Sequence, residues 1–358
     1  MDVQQAQEII INFILNFTAI IYEALPFVVL GVVLAGILEE FVPQQLLAGV
    51  FQGTLPEGMA QSTFGKLISP FVYLLKFRIL AIFLGGFLGL VFPMCECGII
   101  AIMRRLIRKG VPLSVCICYM LCGPIINVVV LLSTYVAFNF PKEKDYLLGG
   151  PLNVVLLRAG ISFVVAVVTS LIVDWQFRLH GDKLIQPKLA ASANSATETT
   201  TSVVRPPFRQ RLANISETSL HDFVDIMAFL ILGACLAAAG REVLEAQNLN
   251  EWIMDSPILS ILLMMLIAVV FCLCSEADAF VAANFSIAFP PFSKMAFMVL
   301  GPMMDIKLYV MYTQIFRQRL IWTIILSVGI QVFVYCLLLH YLIPGHGYST
   351  DFLKDMAK

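Results

Sequence analysis

Charged side chains are scarce in this chain of 358 residues. They make up 13% of it, whereas hydrophobic residues make up 59%; soluble domains carry about 25% charged residues. A water-soluble fold cannot bury that much apolar surface, but a lipid bilayer can cover it. The formal net charge of −1 gives no reason to expect a nucleic-acid partner. Composition therefore predicts an all-α polytopic protein embedded in a membrane.

Several other features are missing. The N-terminus carries Asp2 and Glu8 but no basic run, so it does not resemble a secretory signal peptide. All nine cysteines fall in apolar segments, and none lies in the polar loops where a secreted protein places disulfides. The four histidines show no metal-ligand spacing, and neither a nucleotide-binding glycine loop nor a serine–histidine–acid set is present. We therefore expect no enzyme activity and no cofactor.

Apolar runs of roughly 20 residues are long enough to cross a bilayer as helices. They predict about eight transmembrane helices, at approximately 12–38, 71–103, 111–138, 148–174, 222–244, 256–275, 292–316 and 320–343. The second run is too long for one straight helix and is expected to contain a break. The region 41–70, which is rich in glycine and proline, is expected to lie at the membrane interface.

A polar segment divides the chain. Residues 175–219 contain a low-complexity stretch at 190–202 that cannot bury enough surface to fold, so we predict a disordered linker. It separates a first membrane repeat, 1–174, from a second, 220–358. The basic residues of the linker and those at 104–109 lie on the same side if there are eight spans, which predicts that both are cytoplasmic.

The two halves share a motif. Val91–Gly98 followed by Gly123–Asn127 resembles Val270–Asp278 followed by Gly301–Asp305. The distance from Cys95 to Gly123 is 28 positions, and from Cys274 to Gly301 it is 27. These blocks predict an internal duplication. Both a parallel and an inverted arrangement of the repeats stay open.

Helix-breaking residues interrupt the apolar runs of both halves. Pro93, Gly123-Pro124 and Gly301-Pro302 predict broken helices near the midplane, where irregular backbone persists only if protein covers it or it lines a wet cavity. Discontinuous helices of two related halves are typical of transporters with a central site. Gly85 and Gly89 form a Gly-x-x-x-Gly pattern that permits close helix packing.

Ionisable residues occur inside the predicted spans: Glu96, Glu276, Asp278, Asp305 and Lys307. Each costs about 2.5–3.5 kcal/mol at a helix centre, so each needs a partner or water. Residues i and i+2 of a regular helix do not face each other; Asp305 and Lys307 are therefore expected to pair with other members of the group. Two interpretations stay open: ion pairs that hold helices together, or a substrate or proton pathway.

Thiols accompany these charges. Cys95, Glu96 and Cys97 together offer ligands for soft metals, arsenic-like metalloids or harder divalent cations. Cys272 and Cys274 raise the number of thiols to four. Structural packing and a thiol–disulfide role are the alternatives.

These motifs resemble a predicted-permease family that includes the organoarsenical efflux permease ArsP and YraQ-type permeases, and most of all its YcgR-like branch. The resemblance is carried by 93–97, 104–110, 124–127, 274–280 and 301–307. It implies a multi-pass permease of the inner (plasma) membrane that works beside a second small membrane protein. Arsenical-exporting members carry serine where this chain has Glu96, which weakens the case for arsenical export.

We therefore predict a permease for a small ion, a metal or metalloid species, bound at a central site of thiols and carboxylates. The predicted substrate-binding residues are Cys95, Glu96, Cys97, Asn127, Cys274, Glu276, Asp278, Asp305 and Lys307. A metal would be held by Cys95, Glu96 and Cys97. The alternatives are a membrane thiol–disulfide relay and a non-transporting subunit of a membrane complex.

Overall fold

A computed structural model describes residues 3–41, 78–91, 94–139, 150–180, 256–284 and 290–342, and single positions between 216 and 235. The described residues form helices and the turns that join them, with no strand among them. The prediction of an all-helical fold is therefore confirmed for these parts of the chain.

Among the described residues, six helices begin before the predicted linker. They are α1 (Val3–Phe41), α2 (Arg78–Val91), α3 (Glu96–Arg108), α4 (Leu113–Cys122), α5 (Val128–Phe138) and α6 (Pro151–His180).

In the described ranges 256–284 and 290–342, five further helices follow the helical positions between 216 and 235. They are α7 (Pro257–Phe271), α8 (Ala277–Asn284), α9 (Pro291–Leu300), α10 (Ile306–Tyr312) and α11 (Gln318–Leu342).

The predicted interruptions of the helices are confirmed, and their position near the membrane midplane stays a prediction. A gap follows α2, in which Met94 and Cys95 are non-helical and Pro93 lies outside the described residues. Turns at 123–127 and 301–305 separate α4 from α5 and α9 from α10, since a proline there removes an amide donor. After α7 the chain leaves the helix at Cys272, whose φ of 50° is left-handed.

Two helix–turn–helix units of the chain have the same local geometry. The first helix of each unit, α4 or α9, has ten residues and starts after a proline, Pro112 or Pro290. A glycine with right-handed helical backbone dihedrals follows each of these helices. Asn127 or Asp305 then caps the second helix with its side chain. The same sequence pattern therefore folds in the same way twice.

The long helices are apolar on the outside and packed on the inside. On α11 the residues at 322, 326, 330, 334 and 338 are exposed and apolar, whereas Ile324, Val328 and Val332 are buried. Such an outer stripe suits contact with lipid. Pro151–Leu179 and Gln318–Leu342 are each long and apolar enough to cross a membrane; the total of eight spans stays a prediction.

Two boundaries differ from the prediction. Helix α3 runs to Arg108, and Arg105 and Lys109 are buried, so the basic cluster at 104–109 belongs to a packed helix end and not to a loop. Helix α6 continues to His180, beyond the predicted linker start at 175, and an Asp174–Arg178 ion pair of 2.8 Å spans its last turns. The rest of 175–219, apart from the helical Ser216, and all of 42–70 lie outside the described residues.

Small residues let α2 lie directly against α4. A Cβ built on Gly89 would lie 2.6 Å from the Cα of Gly123, and one on Gly85 would lie 2.9 Å from Val115 Cγ1. The packing role predicted for the Gly-x-x-x-Gly pattern is therefore confirmed.

We predict that Gly89→Ala destabilises the protein, because backbone atoms of the 123–126 turn leave no room for a methyl group. Overpacking of this kind costs roughly 1–3 kcal/mol, which would lower the thermal unfolding temperature of the detergent-purified chain. Gly160→Ala is the matched control, since Gly160 is also helical and, apart from its chain neighbours and the adjacent backbone of its own helix, no described atom lies within 4 Å of the position that its methyl group would take. Equal melting temperatures for the two variants would contradict the prediction.

Candidate functional site

The ammonium group of Lys307 is the centre of a buried cluster of charges. Its Nζ lies 2.8 Å from Oε1 of Glu96 and 3.4 Å from Oδ2 of Asp305. It also donates a hydrogen bond of 3.1 Å to the backbone carbonyl of Cys272. The three charged side chains are at most 2% exposed, so these contacts neutralise charge that water does not reach.

Helix ends position this cluster. Glu96 is the first residue of α3, and Asp305 caps the start of α10. Cys272 follows the last residue of α7. The N-terminus of a helix attracts negative charge and its C-terminus attracts positive charge. Both carboxylates and the ammonium therefore lie at the helix ends that favour them.

The contact between Asp305 and Lys307 corrects one expectation. These residues are two positions apart and would not face each other on a regular helix. Asp305, however, has extended backbone (φ −138°, ψ 177°) and precedes the helix. Its Oδ1 accepts a 2.6 Å hydrogen bond from the amide of Leu308, while Oδ2 reaches Lys307. The expectation that Lys307 pairs with another member of the group, here Glu96, is confirmed.

A second buried cation lies nearby and was missed in the sequence. Arg158, on α6, is fully buried and donates to the carbonyl of Ser275 at 2.9 Å and to Oγ1 of Thr134 at 2.7 Å. Its guanidinium lies 3.9 Å from Oδ2 of Asp278. The available signal in the sequence was a charged residue inside a long apolar segment. The same kind of signal identified Glu96.

Asp278 lies beside Arg158 and against a glycine. A Cβ on Gly301 would be 2.9 Å from Oδ2 of Asp278, so the absence of a side chain at 301 makes room for this carboxylate. Asp278 is within electrostatic range of Glu96, Asp305 and Lys307 as well as of Arg158. The two ion-pair sets therefore form one charged region.

Among its described residues, this region contains more acid than base. Three carboxylates (Glu96, Asp278 and Asp305) face Lys307 and Arg158, which leaves one negative charge in excess when all five are ionised. One oxygen of each carboxylate is buried without a hydrogen bond: Glu96 Oε2, Asp278 Oδ2 and Asp305 Oδ2. Two of these oxygens have only long contacts with a cation, at 3.9 Å for Asp278 and 3.4 Å for Asp305. Buried acceptors of this kind normally have partners, so the cluster can accept a proton or a cation.

The other predicted site residues have different surroundings. Asn127 caps α5, where its Oδ1 accepts hydrogen bonds of 2.7 and 3.3 Å from Val129 and Val130. Glu276 is half-buried in the turn before α8. The structure therefore joins Glu96, Asp278, Asp305 and Lys307, while Asn127 stabilises a helix start.

The thiols are buried close to the breaks. Cys95 caps α3 without a side-chain hydrogen bond, and the side chain of Cys97 lies outside the described residues. Cys274 is 8% exposed. Cys272 turns its sulfur toward the carbonyl of Val269, 3.3 Å away. The described cysteines, which do not include Cys97, are all free thiols.

Metal binding by Cys95, Glu96 and Cys97 stays a prediction. Among the residues that the structure describes, no three side chains of histidine, cysteine, aspartate or glutamate converge as metal ligands. In this conformation Glu96 binds Lys307.

We predict that Arg158→Met strongly destabilises the fold, since it leaves the Asp278 carboxylate and the Ser275 carbonyl buried without a cation. Breaking a buried pair in this way costs about 3–5 kcal/mol. Arg178→Met, which removes a 60% exposed member of an ion pair, should cost less than about 1 kcal/mol. Thermal unfolding in detergent measures both, and Arg158→Met combined with Asp278→Asn should recover part of the loss. Equal effects of the two single variants would refute the prediction.

This chain matches one protein family and is similar to known bacterial proteins. Residues 69–341 match the family described as "Predicted permease" (ArsP_1). The UPF0718 protein YcgR of Bacillus subtilis (strain 168) is 34% identical over 309 residues, which cover 86% of this chain and 90% of that protein. No solved structure is significantly similar to the chain.

A second relative comes from Streptococcus mutans serotype c (strain ATCC 700610 / UA159) and is provisionally named a two-component membrane permease complex subunit. It is 28% identical over 322 residues, covering 90% of this chain and 93% of its own length. Since the family match spans most of the sequence and one relative exceeds 30% identity over nearly its full length, this chain belongs to the predicted-permease family.

Proposed function

We propose that this chain is the transporting subunit of a multi-pass plasma-membrane (inner-membrane) permease, and not an enzyme. It moves a small ion, a metal or metalloid species, through the charged region around Lys307. The observation that carries the proposal is the buried contact of Lys307 with Glu96 and Asp305 at the ends of broken helices.

The excess of buried carboxylates over cations favours transport over a purely structural role of the charged region. A structural ion pair needs as many cations as anions, whereas the described part of this region holds one carboxylate more than it holds cations, and three of its oxygens lack hydrogen bonds. Ionisable residues within membrane segments commonly mark ion pathways. The family membership of the chain agrees with this assignment.

An internal duplication, with 1–174 and 220–358 as its two membrane repeats, would place this region between related halves. It is supported by the matched units α4–α5 and α9–α10 and by the contacts between halves, since α3 packs against α10 and α8 packs against α5. Helices α3 and α8 each follow the first break of their own half, and α10 and α5 each follow the second break. Both contacts therefore join a helix after the first break of one half to a helix after the second break of the other half. Sites at such interfaces are typical of transporters with repeated halves.

The thiols complete the proposed pathway. Cys95 and Cys274 are buried at the breaks, and with Cys97 they would offer soft ligands to a metal or metalloid that passes the carboxylates. The half-buried Glu276 and the cap residue Asn127 would line the same route.

We predict that Glu96→Gln and Asp305→Asn each abolish transport, because each removes one of the two carboxylates that hold the cation. Asparagine caps helices as well as aspartate does, as Asn127 does in this chain, so Asp305→Asn should fold and insert normally. Accumulation of a panel of metals and metalloids in cells that express each variant measures the effect. Gln318→Glu, at the exposed start of α11, is a control that changes charge away from the cluster.

Wild-type accumulation by both amide variants, at equal membrane abundance, would refute the role assigned to the carboxylates. No difference in any metal or metalloid between cells with and without the wild-type chain would refute the transport of such species.

The name of the Streptococcus mutans relative describes a subunit of a two-component permease complex. We extend this arrangement to the present chain and propose that it works with a second membrane protein. A tagged chain isolated from its native membranes should then retain one specific membrane protein, and transport by the reconstituted chain should rise several-fold when that protein is added. Full transport by the chain alone would contradict the two-component arrangement.

A further inference from the structure

The position of the Lys307 ammonium has the surroundings of a cation site. Two carboxylate oxygens and one backbone carbonyl bind it, at 2.8 Å from Glu96 Oε1, 3.4 Å from Asp305 Oδ2 and 3.1 Å from the oxygen of Cys272. Cys272 contributes its carbonyl here, and its sulfur donates to Val269. All three atoms that contact the ammonium are therefore oxygens.

Oxygen ligands of this type are the ones that hard cations prefer. Carboxylates and carbonyls suit Mg²⁺, Ca²⁺ and Mn²⁺, which bind oxygen at about 2.0–2.6 Å. To reach those distances, the three oxygens around Lys307 would have to approach by about 0.2–1.4 Å. The carbonyl belongs to the C-terminal end of α7, where the helix dipole also favours a cation.

A second observation also indicates a ligand. Oε2 of Glu96 is buried and has no hydrogen-bond partner. Oδ2 of Asp305 is also buried without a hydrogen bond, and its contact with Lys307 is a long ion pair of 3.4 Å. Each carboxylate thus keeps coordination capacity that the lysine does not use fully. Without the ammonium, the two carboxylates would present two negative charges, which match the charge of one divalent cation.

We infer that the position of Lys307 Nζ is a binding site for a hard divalent cation, and that the lysine occupies it between transport events. The incoming cation displaces the ammonium from Glu96, Asp305 and the Cys272 carbonyl. The lysine therefore competes with the substrate and prevents two unneutralised carboxylates from remaining buried when the site is empty. This inference rests on the proposed transport function and narrows its substrate class.

Asp278 is placed to receive the displaced charge. It lies within electrostatic range of Lys307, and its Oδ2, 3.9 Å from the Arg158 guanidinium, lacks a hydrogen bond. A third carboxylate within electrostatic range therefore favours the displaced ammonium.

The test is Mn²⁺ binding to the purified full-length chain in nanodiscs, followed by electron paramagnetic resonance. Lys307→Gln removes the competing charge but keeps donors for the same oxygens, so it should bind Mn²⁺ roughly tenfold or more tightly than the wild type. Lys307→Met should do the same. Adding Glu96→Gln to either variant should remove this gain.

Two controls separate the site from general charge effects. Arg178→Gln removes an exposed cation elsewhere and should leave the Mn²⁺ affinity unchanged. Lys307→Arg keeps a cation at the site and should not produce the tenfold gain.

Three results would overturn the inference: no gain in folded Lys307→Gln or Lys307→Met, a gain that survives Glu96→Gln, or an equal gain in Arg178→Gln. If neither Lys307 variant folds even with millimolar Mn²⁺ during purification, the lysine is a fixed structural element, and displacement is likewise excluded. Because binding is measured on purified protein, it is independent of flux. Cellular transport without a Mn²⁺ gain would reject this site and retain the proposed function.

Discussion

A buried charge in a membrane protein must meet a partner at contact distance, and so must every backbone carbonyl that a broken helix leaves without an amide. In this chain the two requirements satisfy each other. The break after α7 frees the carbonyls of Cys272 and Ser275, and Lys307 and Arg158 donate to them. The cations in turn are neutralised by Glu96, Asp305 and Asp278, so neither the break nor the charges would be stable alone.

The same contacts join segments that are far apart in the sequence. Lys307 and Glu96 are 211 positions apart, and Arg158 and Ser275 are 117 apart. Apolar packing between helices does not specify register strongly, because lipid is as apolar as the side chains it replaces. Hydrogen bonds and ion pairs are directional and costly to break in this setting. The polar centre therefore determines how the two parts of the chain fit, while the apolar stripe of α11 faces outward.

Local features of this fold could be predicted from the sequence, and long-range ones could not. Proline and glycine determine their own backbone, so the breaks near 93, 124 and 302 followed from residue type alone. The pairing of Lys307 with Glu96 depends on how α3 packs against α10, which no local pattern encodes. The contact between Asp305 and Lys307 was excluded by assuming a regular helix, although position 305 is a cap. Arg158 could have been identified as a charged residue inside an apolar segment, but the length and high hydropathy of that segment led to its prediction as an ordinary transmembrane helix.

Asn127 and Asp305 show why the charge at position 305 needs an explanation beyond folding. Both follow a glycine by four positions, both have extended backbone, and both cap the next helix with a side-chain oxygen. Asparagine performs this task fully at 127, so capping does not require a carboxylate. The carboxylate at 305 instead supplies a second oxygen, Oδ2, which lies 3.4 Å from Lys307 and has no hydrogen bond of its own. A residue that caps its helix with one oxygen and leaves the other for a cation is what a binding site at the end of a broken helix requires.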